Sequence, residues 1–293
     1  MNKFIMFFSL LIFIGCGNLD TVSETPVKPA EVESEVEAEE VIEIKEEKPL
    51  KTYEKKENEI LFYSVDQKVI KRIDLIKRCE EEYDDNGAVF SSRPLPSSYE
   101  KILKNNTQIQ RVASSFGKNG LIKSSNVYLY GYLDNTILYE YDSLMRLSSE
   151  RYIDPKGELY TKKNYKYSNN YRVVGKKIFD AKGAFLEEEV FSYTNGALSK
   201  ITVLSGDGKF LSTRNFIYDQ SGKLKEEKFI SGKINTRLVY TRDNLGRIDR
   251  ISEHSSGKYR GYYKFNYDSK GRITEKRFYA LDQSIVSREV YKY

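Results

Sequence analysis

The sequence predicts an all-β protein: an elongated antiparallel sheet of stacked β-hairpin repeats, with one or two short helices capping its N-terminal end. Three observations predict it. A tyrosine recurs at Tyr141, Tyr167, Tyr193, Tyr218, Tyr240, Tyr267 and Tyr293, at separations of 26, 26, 25, 22, 27 and 26 residues. Two residues before each stands a second apolar residue (Tyr139, Tyr165, Phe191, Phe216, Leu238, Phe265 and Tyr291), and residues two apart share one face of a strand. Between the pairs lie Asp, Asn, Ser and Gly in turn-forming combinations, followed by runs rich in Tyr, Phe, Ile, Val and Thr that suit a pleated, half-buried surface.

Read in chain order, Lys3 precedes an apolar run from Phe4 to Ile14. That run is too short to cross a bilayer as a helix, which takes about 20 residues. It has the length and flanks of a signal-peptide core, which is removed and takes no part in the fold. It ends in Phe13-Ile14-Gly15-Cys16, which resembles the lipobox of bacterial lipoproteins, departing from it at Phe13, where leucine is usual. The resemblance implies that residues 1–15 are cleaved and that Cys16 carries diacylglycerol and a further acyl chain such as palmitate. Each acyl CH₂ buried in a membrane contributes about 0.8 kcal/mol, so several chains make a durable anchor. Gly17 stands where aspartate retains some lipoproteins at the inner membrane, so the expected location is the cell envelope, at the outer membrane. Acylation of Cys16 leaves Cys79 without a partner for a disulfide, and Cys79 reads as a small, partly buried side chain.

Residues 17–60 carry 14 acidic and 6 basic side chains, a net of −8, whereas residues 61–293 carry 41 basic and 29 acidic, a net of +12. The acidic stretch holds Pro26, Pro29 and Pro49 and no aromatic before Tyr53. Such composition cannot bury enough apolar surface to offset the entropy of ordering, so 16–58 reads as a disordered tether, with a charged helix over Glu31–Lys48 as the alternative. Residues 59–138 read as an N-terminal cap or as degenerate repeats. Ser64-x-x-Gln67 and Ser97-x-x-Glu100 have the form of capping boxes at helix starts, but the first stretch also fits a strand through Ile73, Leu75 and Lys77.

The repeat domain spans 139–293. Its clearest units are Tyr218-Asp219-Gln220-Ser221-Gly222-Lys223-Leu224 and Tyr267-Asp268-Ser269-Lys270-Gly271-Arg272-Ile273. A second turn falls mid-unit, as in Asp154-Pro155-Lys156-Gly157 and Asp180-Ala181-Lys182-Gly183. Each unit is therefore two strands and two turns. These units resemble the YD repeats of Rhs-type proteins and the short β-hairpin repeats called MORN-type. The resemblance implies a continuous sheet of hairpins; six units are too few for the closed shell that large Rhs proteins build around a toxin.

The chain is poor in recognisable chemistry. His254, its single histidine, lies in Ser252-Glu253-His254-Ser255-Ser256-Gly257 and reads as a turn residue, and one histidine with one free cysteine does not make a zinc site of the usual ligands. Gly206-Asp207-Gly208-Lys209 lacks the frame of a phosphate loop, and Asp207 and Asp243 lack the spacing of a calcium loop. Glu187, Glu188 and Glu189 alternate along a strand. No cofactor, metal or small-molecule substrate is expected. Lys and Arg interleaved with Tyr suit an interface. The expectation is a lipid-anchored envelope protein whose basic, tyrosine-rich domain binds or scaffolds a macromolecule, an envelope protein or an anionic glycan, without catalysis. Its partners are the membrane, through Cys16, and such a macromolecule; nucleic acid ranks low for a secreted chain. The alternatives are a carboxylate-dependent cell-wall or glycan hydrolase and a toxin-associated or immunity-type protein.

Overall fold

The computed structural model describes residues 53–64, 66–168 and 172–293; the expected signal peptide, Cys16 and the expected tether up to residue 52 lie outside the described residues. Every element described is a strand. Five form one small antiparallel sheet in sequential order: β1 (Tyr53–Lys55), β2 (Glu59–Tyr63), β3 (Val69–Asp74), β4 (Cys79–Tyr83) and β5 (Val89–Pro94). Sixteen follow: β6 (Ser98–Leu103), β7 (Gln108–Phe116), β8 (Ile122–Leu129), β9 (Tyr132–Tyr141), β10 (Leu147–Ile153), β11 (Leu159–Tyr167), β12 (Val173–Asp180), β13 (Phe185–Thr194), β14 (Ala197–Ser205), β15 (Phe210–Tyr218), β16 (Leu224–Ser231), β17 (Ile234–Arg242), β18 (Ile248–Ser255), β19 (Lys258–Tyr267), β20 (Ile273–Tyr279) and β21 (Ile285–Lys292).

Two expectations are corrected. The hairpins do not extend as an open sheet: β21 pairs with β6 in register from Ser287↔Leu103 to Lys292↔Ser98, closing a barrel of sixteen antiparallel strands. A sheet of this length would otherwise leave two unpaired edges, and closure removes both. The short N-terminal helices are strands. Around Ser64 the chain makes a hairpin turn, in which the Ser64 hydroxyl accepts the Lys68 N–H at 3.3 Å and Gln67 sits at φ 58°. The two-residue alternation of Ile60 with Phe62, Lys71 with Ile73 and Glu80 with Glu82 prevails there over any helical period. Ser98 to Leu103, the second expected helix start, is the strand that β21 closes upon.

The turns form as their composition dictates. In the tyrosine-flanked loops an Asp carboxylate accepts two backbone N–H groups, two and four residues on: Asp142 from Leu144 and Arg146, Asp219 from Ser221 and Lys223, Asp243 from Leu245 and Arg247, Asp268 from Lys270 and Arg272. The mid-unit turns at Asp154 and Asp180 repeat the geometry. The residue three after the Asp takes positive φ, and glycine usually fills it, as at Gly222 (76°) and Gly271 (76°). Met145 stands there at φ 59° without that freedom.

Eight-stranded barrels fill with their own side chains, but sixteen strands leave a lumen that needs another occupant. The small sheet supplies it, lying across the mouth at the tyrosine-flanked turns. One set of contacts joins Ile60, Phe62, Ile70, Ile73 and Leu95 to Leu121, with Phe116, Ile122, Tyr141 and Met145 packed around them. On another arc, Phe90 enters a cluster of inward-facing Phe191, Phe216, Leu238 and Phe265 with Tyr193, Leu198 and Ile251. Arg172, before β12, ties the rim to the lid by donating to the Tyr83 carbonyl at 3.2 and 3.3 Å and to Asp85 at 3.1 Å.

Candidate functional site on and within the barrel

The periodic tyrosines all point inwards and stitch neighbouring hairpins together. The hydroxyl donates to a backbone carbonyl about twenty residues earlier: Tyr141 to Ile122 (2.9 Å), Tyr167 to Leu147 (2.9 Å), Tyr218 to Leu198 (2.9 Å), Tyr267 to Ile248 (2.7 Å) and Tyr293 to Ile273 (3.0 Å), with Tyr193 on Val173. Tyr240 departs from the pattern and donates to Glu227; the carbonyl it would have used, Leu224, accepts from Arg242 at 3.2 Å instead. A second stitch runs through the turns. Arg146, Arg247 and Arg272 each bond the Asp four residues earlier at 2.7 Å. Their guanidinium groups lie over the next unit's tyrosine, Tyr167 at 4.5 Å, Tyr267 at 4.6 Å and Tyr293 at 4.5 Å. In the units of Asp243 and Asp268 the Asp, Gly, Arg and following Tyr therefore act together, and in that of Asp142 Met145 stands in the glycine's place.

Beneath the lid sits a charged cluster that sequence reasoning did not assign. By register, Lys71, Ile73, Glu80, Glu82, Ser91 and Arg93 share the inner face of the small sheet. Glu80 pairs with both Lys71 and Arg93 at 3.1 Å. Burial alone would raise its carboxyl, but Arg93 and Lys71 outweigh that and hold it at about 2. Among the described residues Glu82 has no such ion pair, and burial pushes it up to about 7, with the Glu80 charge adding to the rise and Lys71 opposing it. Tyr139 and Tyr165 of the wall lie close enough to Arg93 to affect its charge, and Tyr141 and Tyr167 close enough to Glu80 to feel its charge. Deeper in, inward residues pair across strands: Glu150 with Lys163 at 3.6 Å, Lys176 with Glu189 at 2.6 Å, Lys276 with Glu289 at 3.2 Å. Although ringed by the wall and the lid, Arg93 keeps 28% of its side-chain surface accessible and Lys163 keeps 21%. The interior under the lid thus leaves room for solvent among charged groups that are already paired.

The outer face alternates with this interior. Arg151, Lys162, Lys166, Lys177, Lys200, Arg237, Lys264, Arg277 and Arg288 occupy positions between inward-facing neighbours along their strands. Glu188 also faces out, opposite Lys177, whereas Glu187 and Glu189 point in. His254 belongs to β18 rather than to a turn. It lies outward, its ring 5.3 Å from Tyr259, beside a shallow groove of about 300 Å³ lined with Lys228, Asn235, Arg237 and Gly257. Cys79 starts β4, partly buried, and burial pushes its thiol up to about 12. Gly206, Asp207 and Gly208 form the turn between β14 and β15. Among the described residues no group of three His, Cys, Asp or Glu side chains is placed to hold a metal ion. Of the residues the sequence singled out, the seven tyrosines stand at equivalent places, at or near the C-terminal ends of alternate strands from β9 to β21. Cys16 lies outside the described residues, and the charges beneath the lid became visible only once the register of β2 to β5 was known.

No protein-family model matches the sequence, and no curated protein matches it either. Solved structures are similar in part. A porin-like protein from Bacteroides uniformis is 14% identical over 67% of this chain and 96% of its own, with a TM-score of 0.47. A porin-like protein from Bacteroides vulgatus is 13% identical over 68% of this chain and 98% of its own, with a TM-score of 0.36. The Tc holotoxin pore of Photorhabdus luminescens is 13% identical over 78% of this chain but only 16% of its own, with a TM-score of 0.27.

Proposed function

We propose that this is a non-catalytic binding or scaffold module of the bacterial cell envelope, held to the outer membrane by lipid on Cys16, whose barrel stands in water beside the membrane. The observation that carries this reading is the polarity of the wall. A barrel embedded in a bilayer shows lipid an apolar band about 25 Å tall, and each Arg or Lys at its midplane costs about 2–4 kcal/mol. Here the outward positions of β10 to β14 hold Arg151, Lys162, Lys166, Lys177 and Lys200, and those of β17 to β21 hold Arg237, Arg250, Lys264, Arg277, Arg288 and Lys292. The lid supports the same reading, because it seats a folded sheet with its own ion pairs across one mouth. The acidic tether is long enough to carry the barrel clear of the surface: at about 5–6 Å × √n, some forty residues reach about 35 Å.

The test is fractionation of cells making the full chain or its Cys16→Ser variant. The native chain is expected in the membrane fraction and to take up labelled palmitate, and the variant in the soluble periplasmic or extracellular fraction. A variant that stays in the membrane until detergent is added would show that the wall itself is embedded, and would overturn the reading.

A further inference from the structure

The outer wall holds a row of four cations in direct cross-strand register. Arg250 of β18 faces Lys264 of β19, Lys264 faces Arg277 of β20, and Arg277 faces Arg288 of β21. All four point out, because their strand neighbours Ile251, Phe265, Lys276 and Glu289 are turned inwards. Like charges directly opposite one another destabilise a sheet. Elsewhere the barrel sets opposite charges against each other, as at Glu150 and Lys163, Lys177 and Glu188, and Lys176 and Glu189, and its other facing cations, Arg151 with Lys162 and Lys228 with Arg237, stop at two. Four cations in succession make the longest run of like charge among the described residues, and folding alone gives no reason for it.

The row is also braced. The guanidinium of Arg250 lies 4.0 Å from the Tyr262 ring and donates to the Tyr259 hydroxyl at 2.7 Å. Tyr262 in turn stacks on Tyr279 at 4.9 Å with 9° between the rings. Glu275 answers Arg277 at 2.6 Å and lies 4.0 Å from Arg288, which also donates to Asn106 at 3.5 Å. Among the described residues no carboxylate pairs with Arg250 or Lys264, and Lys264 is exposed. Fixing long cationic side chains before a ligand arrives lowers the entropy lost on binding.

We propose that this row is the docking track of an acidic polysaccharide, running around the barrel across the strands with its carboxylate or sulfate groups on Arg250, Lys264, Arg277 and Arg288. The inference rests on the binding-module reading above and names its ligand class. Neighbouring strands are about 4.8 Å apart, so the track suits a chain bearing an anionic group at nearly every sugar. The wall is convex. A flexible chain follows that curvature from strand to strand, whereas a flat bilayer touches it only along a line. Arg277 and Arg288 offer planar, two-pronged donors to such groups.

The experiment measures binding of the full chain in non-ionic detergent to alginate, with dextran as the neutral control and duplex DNA and phosphatidylglycerol vesicles as competing polyanions. The expected result is salt-sensitive binding to alginate, weakened roughly tenfold or more in Lys264→Ala/Arg277→Ala and unchanged in Lys162→Ala/Lys166→Ala on the far wall. Lys264→Gln should lose affinity while melting slightly higher than the native chain, because it relieves the repulsion in the row; this separates a binding defect from a folding one. Equal loss in both double variants would reduce the track to diffuse charge, and preference for DNA or vesicles through the same four residues would replace the ligand class; either overturns the inference. Alginate binding untouched by the row variants would overturn the inference but leave the binding-module reading standing. Failure to bind any of these, with no partner crosslinked to the native lipoprotein in cells, would sink both.

Discussion

The hydroxyl of Tyr240 donates to the carboxylate of Glu227 in the interior of the barrel, where both side chains are buried, at 6% and 3% accessible. The other six tyrosines of the ladder spend that hydrogen bond on a backbone carbonyl. Among the described residues Glu227 has otherwise Arg214 at 4.0 Å, and burial raises its carboxyl against the pull of that arginine. Removing the hydroxyl should therefore cost more here than elsewhere. Tyr218→Phe deletes one bond to a neutral carbonyl and should lower stability by about 1 kcal/mol, whereas Tyr240→Phe strands a buried acid and should cost about 1–3 kcal/mol. Urea denaturation midpoints compare them, and equal costs would show that Glu227 is satisfied without Tyr240.

The acids beneath the lid act on stability in opposite directions. Glu80 is held at about 2 against an ordinary 4.5, so its contribution is present above 4.5 and is lost as pH falls from there towards 2. Glu82 is raised to about 7, so the folded state holds a proton there that the unfolded chain releases from about 4.5 upwards. Stability from this group falls as pH rises from 4.5 to 7 and then levels off. Together they place the most stable state of the lid near pH 4.5–5. Glu82→Gln should raise stability at pH 8 by about 1–3 kcal/mol and flatten the fall between pH 4.5 and 7. Thermal melts across that range give the answer, and an unchanged slope would mean Glu82 titrates normally.

The seating of the lid is tested at Gly196, between β13 and β14. Its φ is +77°, and a Cβ there would collide with the backbone nitrogen of Asp85. Gly208, in the turn after β14, has a similar φ of +81° with open space around it. Both alanine variants carry the backbone strain of about 1–2 kcal/mol, but only Gly196→Ala pushes on the small sheet. Amide exchange in β2 to β5 should quicken in Gly196→Ala and stay unchanged in Gly208→Ala.

Arg272 tests the stitch between turns. Arg272→Lys keeps the charge but loses the planar group that bonds Asp268 and covers Tyr293 together. It should cost about 0.5–1 kcal/mol, and Asp268→Asn in the same background should add little further, since the two act on one contact. A full additive loss in that double variant would separate the two interactions.

Much of this architecture is legible in the sequence because hairpins are local. The tyrosine period, the Asp-to-Gly turns and the two-strand unit all follow from residues within about 26 positions of each other, and each appears in the structure as read. What was missed is non-local. No residue near Ser98 announces that it will pair with Lys292, so the open sheet was the natural expectation. Ser64 and Gln67 have the form of a helix cap, but the alternation of Ile60, Phe62, Lys71 and Ile73 fits a strand better. His254 looked like a turn because Ser255 and Ser256 follow it; the reversal lies at Ser256 and Gly257, one step further on. The cationic row could not be seen without the register, since its members stand 14, 13 and 11 residues apart in the chain.

The contact between β6 and β21 also has a consequence for how the chain comes to be folded. Every other pairing in the wall joins consecutive strands and can form as the polypeptide emerges, but Ser97 must wait for Lys292, 195 positions away, to complete the ring. Through that interval the growing sheet carries two bare edges, able to pair with any other strand they meet. Contacts this distant slow folding and prolong the exposure. β21 is therefore the clasp of the molecule: a chain cut short within it would keep nearly all its hairpins and lose its seam, leaving association with further copies of itself as the remaining way to cover those edges.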